Sequence, residues 1–268
     1  MLTTRLIVIA ILLPFGLVLI LSGGYVLMVG ATFIMGYAAW EYYQMFKHGG
    51  YKPSAPVLIG GVAALVVMRA LLHFEGTEVF FSAAVLAAMA TQVVHYESGD
   101  ETAAVDFNIT LGGILYIGWL GAYLVSLRQL PDGQWWMLLV LAACWLNDGG
   151  AYLVGRKIGR HKLSQRVSPN KSWEGYIAGI ITAALGSMLI AWGCNQLAAD
   201  VTPLKGLLIG LLIGIVTPLG DLGESMLKRG FGLKDSSHLL PGHGGMLDRI
   251  DSWLWAGAIG YYLIVWFY

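Results

Sequence analysis

The sequence predicts an all-α, polytopic integral membrane bundle of about nine transmembrane helices, with its N-terminus in the cytoplasm. Three observations carry this. Hydrophobic residues make up 57% of the 268 and charged residues only 12%, a balance too apolar for a water-soluble globule. Apolar runs close to the roughly twenty residues of a bilayer span recur along the whole chain. None of them shows the alternating ~10-residue pattern of an outer-membrane barrel, so helices, which satisfy their own backbone hydrogen bonds, are the solution that lipid allows.

Taken in order, the runs predict helices near residues 6–21, 25–46, 55–73, 78–95, 104–126, 134–156, 174–194, 204–228 and 249–267. Arg5 followed by the apolar run Leu6 to Leu21 resembles a secretory signal, but no A-x-A-like site follows and a second apolar run begins at Tyr25, so a retained first helix is expected. With the N-terminus inside, thirteen of the sixteen Lys and Arg residues fall on the inner face, against Arg69, Arg128 and Lys205 outside. One inner loop, "HYESGDETAAVD", dissents by carrying acids and no Lys or Arg. No repeat, low-complexity tract or long linker divides the chain. It reads as one integral domain over 1–268, with 1–130 mainly scaffold and lipid-facing helices and 131–268 the catalytic region. Gly206, Gly210 and Gly214, like Gly175 and Gly179, have the small-xxx-small spacing that lets helix backbones approach closely. Packing within the chain and a homodimer face both remain open. Cys144 and Cys194 lie in apolar segments without metal-ligand spacing and read as small buried side chains.

Two polar regions interrupt the apolar pattern. In "WLNDGGAYLVGRKIGRHKLSQRVSPNKSWEGY", Asp148 falls inside the sixth span, where a carboxylate is costly unless it meets a cation, a proton or water. Arg156, Lys157, Arg160, Lys162, Arg166 and Lys171 follow as a basic loop suited to topology and to anionic lipid. In "SPNKSWEG", Ser168 or Ser172 is expected to cap the next helix, whose amide-rich start favours phosphate. In the second region, Pro218, Gly220 and Gly223 are expected to weaken the eighth helix. Asp221 and Glu224 share an i,i+3 spacing, and Asp248 and Asp251 repeat it, so four acids are able to face one pocket. Lys228, Arg229, Lys234 and Arg249 are interleaved among them. Such hard oxygen donors suit Mg2+ held together with substrate phosphates. The glycines of "GFGLKDSSHLLPGHGG" let the backbone approach a ligand closely, while His238 and His243 suit polar contact or positioning better than metal coordination. No Walker-type GxxxxGK[ST] sequence is present, so a P-loop nucleotide site is not expected.

The run Ser225, Lys228, Arg229, Lys234, Asp235, Ser237, Leu240, Pro241, His243, Gly244, Gly245, Asp248, Arg249 and Asp251 resembles the signature of the CDP-diacylglycerol synthase, or phosphatidate cytidylyltransferase, family, with matching spacing over 27 positions. "NDGGAYLVGRKIGRHKLSQRVSPNKSWEG" is similar to the family's second polar region, and Gly149 departs from it where a small hydroxyl residue is expected. The resemblance implies that CTP and phosphatidic acid react to give CDP-diacylglycerol and pyrophosphate with Mg2+, for which Mn2+ would substitute, a monovalent cation such as K+ also being compatible. It implies Asp221 and Asp248 as the main metal ligands, joined by Asp251 and Glu224. Lys228, Arg229, Lys234 and Arg249 would neutralise phosphates, Asp235 would belong to the cofactor-binding set, and His243, Gly244 and Gly245 would shape the CTP turn. Lys171, Ser168 and Asp148 would complete the pocket, and Arg156, Arg160 and Arg166 would attract the lipid headgroup. The expected partners are CTP, phosphatidic acid and membrane lipids, without nucleic acid, and the expected location is a bacterial plasma (inner) membrane with the active site facing the cytoplasm. Three readings compete: a CTP-dependent enzyme acting on another lipid, an ion-coupled transporter, and a non-catalytic lipid-binding scaffold.

Overall fold

A computed structural model describes the chain except Met1, His238, Leu240, Pro241, His243 and Tyr268, and describes no side chains for residues 2–9 and Ile11. Among the described residues there are nine helices: α1 (Leu2–Ser22), α2 (Gly24–His48), α3 (Ala55–Leu72), α4 (Thr77–Glu97), α5 (Ala103–Gln129), α6 (Gly133–Ile158), α7 (Trp173–Cys194), α8 (Pro203–Gly230) and α9 (Leu247–Phe267). These coincide with the nine apolar runs of the sequence. Six of them, α3 to α8, are long and apolar enough to cross a membrane. The chain packs as two compact units, one of residues 1–126 with 230–250 and one of residues 127–229 with 251–268.

In the first unit, α2 and α3 pack against the middle of α5 around Met35, Ala38, Tyr42, Leu58, Val62 and Ile117, all buried. Helix α5 widens to a π-helical stretch over Ile114–Trp119. Gly113 and Gly118 flank and enter this stretch, and a Cβ on Gly118 would lie 3.2 Å from the Val62 Cα, so the absent side chains set how closely α5 approaches α3. Arg69, counted among the outer-face charges, is fully buried. Its guanidinium lies 3.8, 4.7 and 5.0 Å from the ring centroids of Phe74, Trp119 and Tyr123 and donates to Ser126 Oγ at 3.1 Å, so ring quadrupoles stabilise a charge that lipid would not.

The acidic loop that broke the charge pattern proves to be a tie. Asp106, fully buried, accepts from the Lys52 amide at 2.9 Å and from the Thr102 hydroxyl at 2.6 Å, while Thr110 Oγ1 accepts from the Ser54 amide at 3.1 Å. Lys52 Nζ lies 3.3 Å from Asp100, whose carboxyl the Thr102 hydroxyl and amide, together with Lys52, hold below the ordinary carboxylate range. The acids of this loop therefore anchor the segment before α3.

In the second unit, α6 and α7 form a close helix pair. Gly150, Gly155, Gly175 and Gly179 lie at the contact, and a Cβ on Gly175 would sit 2.7 Å from the Ala151 carbonyl oxygen. Helix α8 then lays Gly206, Gly210 and Gly214 against Ala191, Ser187, Ala183 and Ile180 of α7, so the glycine stripe is spent on contact within the chain. The segment read as a basic loop folds as an antiparallel hairpin of β1 (Lys162–Ser164) and β2 (Ser168–Ser172), pairing Lys162 with Ser172 and Ser164 with Ser168. A two-stranded ribbon leaves each strand an unpaired edge, which tolerates Pro169 and its missing N–H. Ser172 is the cap of α7, its hydroxyl accepting from the Gly175 amide at 3.2 Å, whereas Ser168 lies in β2.

The expected weakening at Pro218 is corrected: α8 runs unbroken through it. Extra donors reach the neighbouring carbonyls, Thr217 Oγ1 to Ile213 O and Tyr176 Oη to Ile215 O, both at 2.8 Å. Gly220 faces Trp255 of α9, whose Cδ1 lies 2.6 Å from where a Cβ would be. Both free cysteines are in this unit, Cys144 buried and Cys194 partly exposed.

Adding a branched side chain to the α7–α8 contact is expected to be destabilising. A Cβ on Gly210 would overlap the Ala183 carbonyl oxygen and lie 2.8 Å from Ser187 Cβ, so Gly210→Val should lower stability by about 1–3 kcal/mol. Gly193 of the same helix pair has nothing within 4 Å, so Gly193→Ala should be neutral or slightly stabilising. Thermal unfolding in one detergent, with both variants side by side, measures the contrast.

Candidate functional site

The second unit gathers one group of charges. Lys171, at the end of β2, reaches Asp221 of α8 at 2.6 Å, with the two side chains 27% and 34% exposed, and the Ser225 hydroxyl donates to the other oxygen of Asp221 at 3.3 Å. This pair is half open to ligand. One turn further on, Glu224 and Lys228 form an i,i+4 ion pair of a different character, with side chains 0% and 8% exposed. Asp251 of α9 is buried and accepts from the Ser252 amide at 2.6 Å. The negative charges of Asp221 and Asp148 act on it, opposed by Lys228. Asp148 lies exposed on α6 beside Gly149, which also has open space around it.

The i,i+3 spacing thus places Asp221 and Glu224 on one helix but gives them separate cations. Among the described residues no group of three or more His, Cys, Asp or Glu side chains forms a metal cluster. The chemistry of the donor set nevertheless fits a hard divalent ion. Mg2+ commonly takes one or two carboxylates and completes its shell with water and substrate phosphate. The Asp221 and Asp251 carboxylates, whose charges repel, are the pair that a cation would relieve.

The basic side chains divide in the same way. Lys171 and Lys228 are held by carboxylates, while Arg156, Arg160, Arg166 and Arg229 are exposed. Arg156 donates to Tyr152 Oη at 3.2 Å. Glu174, in the first turn of α7, accepts from the amides of Arg160 at 3.1 Å and His161 at 3.2 Å and lies 2.6 Å from His161 Nδ1. It fixes where the hairpin leaves α6. Glu174 is not among the residues expected at the site; an acid two residues past a capping serine is the signal the sequence offers.

The first unit holds the glycine-rich segment. Lys234 and Arg249 are exposed, and Asp235 is partly so. Asp248 Oδ2 accepts from the Ser236 amide at 2.9 Å, the Ser236 hydroxyl at 2.9 Å and the Gly245 amide at 2.7 Å. The Gly245 amide therefore goes to Asp248, in the manner of a helix cap, rather than standing ready for a phosphate oxygen. Gly244 takes φ +79°, a left-handed turn that suits glycine. His243, and His238 with it, lie outside the described residues. Phe231 closes the start of the segment by stacking edge-on against Phe46 at 4.9 Å and Tyr51 at 6.2 Å. The residue the sequence reading missed is Glu41 of α2, fully buried, which accepts from Ser236, Ser237, Met246 and Leu247. A lone acid within an apolar helix was its signal.

The buried pair Glu224 and Lys228 yields a direct expectation. Lys228→Met leaves an uncompensated buried carboxylate and should cost about 3–5 kcal/mol, whereas Glu224→Gln combined with Lys228→Met should recover most of that loss. Unfolding of the single and double variants in detergent measures the coupling.

Comparison with known proteins agrees with the family resemblance. Residues 3–267 match the cytidylyltransferase family. The phosphatidate cytidylyltransferase of Synechocystis sp. is 33% identical over 96% of this chain and 94% of its own length. That of Pseudomonas aeruginosa is 36% identical over 94% and 93%. The Bacillus subtilis phosphatidate cytidylyltransferase is 40% identical over a shorter region, 59% of this chain and 58% of its own. With the match extending over almost every residue, the chain belongs to the cytidylyltransferase family.

Proposed function

We propose that this chain transfers the cytidylyl group of CTP to phosphatidic acid, forming CDP-diacylglycerol and pyrophosphate. The observation that carries the reading is its likeness, over more than nine tenths of both chains, to relatives named phosphatidate cytidylyltransferase. The chemistry asks little covalent work of the protein. A phosphate oxygen of phosphatidic acid attacks the α-phosphorus of CTP, the bond to the β-phosphate oxygen breaks, and pyrophosphate leaves. The protein's task is to hold two anions in line and to stabilise charge on the leaving oxygen.

Asp221 and Asp251 are the carboxylates proposed to hold Mg2+, with Glu224 kept by Lys228 as structural support. When bound, the ion would supply charge neutralisation on the phosphates. Lys171, 2.6 Å from Asp221, would hold its ammonium beside that carboxylate, where it would meet a substrate phosphate. Arg229, Lys234 and Arg249 supply further positive charge. Asp248 sets the backbone around Gly245 and so shapes the turn proposed to meet CTP. The exposed Arg156, Arg160 and Arg166 attract the anionic lipid headgroup. The location proposed is a bacterial plasma membrane with these groups at its cytoplasmic face, where the Lys and Arg excess lies. The transporter alternative drew on a broken eighth helix, and continuous α8 removes that support.

Purified protein given CTP labelled in its cytidine, phosphatidic acid and Mg2+ should yield a labelled lipid and one pyrophosphate per lipid formed. Solute flux without labelled lipid would overturn the reading. Chelation with EDTA should stop turnover and Mg2+ should restore it. Asp221→Asn should lower kcat at least about a hundredfold while the protein unfolds at nearly the same temperature. An active Asp221→Asn enzyme with an unchanged Mg2+ titration would remove Asp221 from the metal.

A further inference from the structure

Glu41 lies outside both polar regions of the sequence and outside the signature run, on a helix whose other residues are largely apolar. Its side chain is completely buried. Its two oxygens nevertheless meet four donors. Oε1 accepts from the Ser237 hydroxyl at 2.5 Å and the Met246 amide at 2.9 Å, and Oε2 from the Ser236 hydroxyl at 3.0 Å and the Leu247 amide at 2.7 Å. Every donor comes from one segment 195 to 206 residues away in sequence. Two of them lie where that segment begins its glycine-rich excursion and two where it ends, with eight residues between Ser237 and Met246.

Three features set this apart from an ordinary buried contact. A carboxylate buried in an apolar setting is strongly unfavourable unless its lone pairs are filled, so the four donors are needed as much as they are useful. Leu247 is the first residue of α9, and its amide, like that of Met246, is one that the helix itself cannot satisfy. Glu41 therefore caps α9 from another helix while drawing Ser236 and Ser237 to the same point. Asp248 completes the arrangement, because the Ser236 hydroxyl is 3.0 Å from Glu41 and 2.9 Å from Asp248 and donates its single proton to one at a time. Gly245 is glycine for the same reason. A Cβ there would overlap Ser236 Oγ and Glu41 Oε1.

We propose that Glu41 is a positioning residue for the CTP turn: by clamping Ser236 and Ser237 to Met246 and Leu247, it fixes the two ends of the signature loop. The inference rests on the function proposed above. Glu41 touches no substrate in it, and acts through the loop's backbone. Closing the loop in advance removes entropy that would otherwise be lost when nucleotide binds, so losing the clamp weakens CTP far more than lipid.

The test uses Glu41→Gln in the full-length protein, which keeps shape but turns one acceptor into a donor facing donors. The expected result is an apparent KM for CTP raised about tenfold or more, with the KM for phosphatidic acid within about twofold of wild type. Hydrogen exchange at the Met246 and Leu247 amides should quicken by a similar factor, without loss of the thermal transition. Ser237→Ala, which removes one donor at a partly exposed position, should shift both readouts in the same direction by less, and it serves if Glu41→Gln does not fold. A folded Glu41→Gln protein with unchanged CTP KM, or with unchanged exchange at the two amides, overturns the proposal. A wild type that never labels lipid sinks the proposed function instead, and the exchange measurement still decides whether Glu41 holds the loop.

Discussion

A carboxylate taken out of water must be given a cation or enough hydrogen-bond donors, and much of this protein's polar structure follows from that constraint. Each buried acid meets it differently. Glu41 uses four donors and no cation, Glu224 uses Lys228 one turn away, and Asp106 uses a hydroxyl and an amide. Each solution also joins segments remote in sequence or stiffens a helix end. The apolar surface supplies the drive to bury these helices, but it is non-directional. The polar ties are what give particular loops particular places.

The same constraint separates buried ion pairs from partly exposed ones. Glu224 and Lys228 are buried and pair with each other one turn apart on α8. Asp221 and Lys171, about a third exposed, form a pair that solvent reaches. Asp221 and Glu224, two acids three residues apart on one helix, therefore differ in depth, one partly exposed and the other fully buried. Asp251 shows the intermediate case, buried and pressed by neighbouring negative charge.

Much of the architecture was legible because it is written in long-period hydropathy. All nine apolar runs became helices, and the glycine spacing of α8 announced a close helix contact correctly. What escaped was set by tertiary partners. Pro218 carries a breaking signal, yet α8 runs through it, with the hydroxyls of Thr217 and Tyr176 donating to the nearby Ile213 and Ile215 carbonyls. The β1–β2 hairpin has no apolar alternation to reveal it, since its strands are short and polar. Arg69 looked like a topology charge because nothing local shows that Phe74, Trp119 and Tyr123 converge on it. Of the site, the motif residues were readable as a set, but which acid pairs with which base was not. Glu41 was hidden most thoroughly, because its partners lie at the other end of the chain.

The stripe of Gly206, Gly210 and Gly214 against α7 also shapes how this sequence is able to drift. Where two helices are spaced by missing side chains, neither partner has room to compensate for the other: a methyl gained on α8 cannot be offset by trimming Ala183, when the obstacle is that residue's backbone oxygen. Change along this seam is forbidden in one direction and nearly invisible elsewhere on the same helices, where exposed Leu204, Leu208 and Leu211 are interchangeable with any apolar neighbour. The lineage is thus expected to vary widely on its lipid-facing rim while the seam stays frozen.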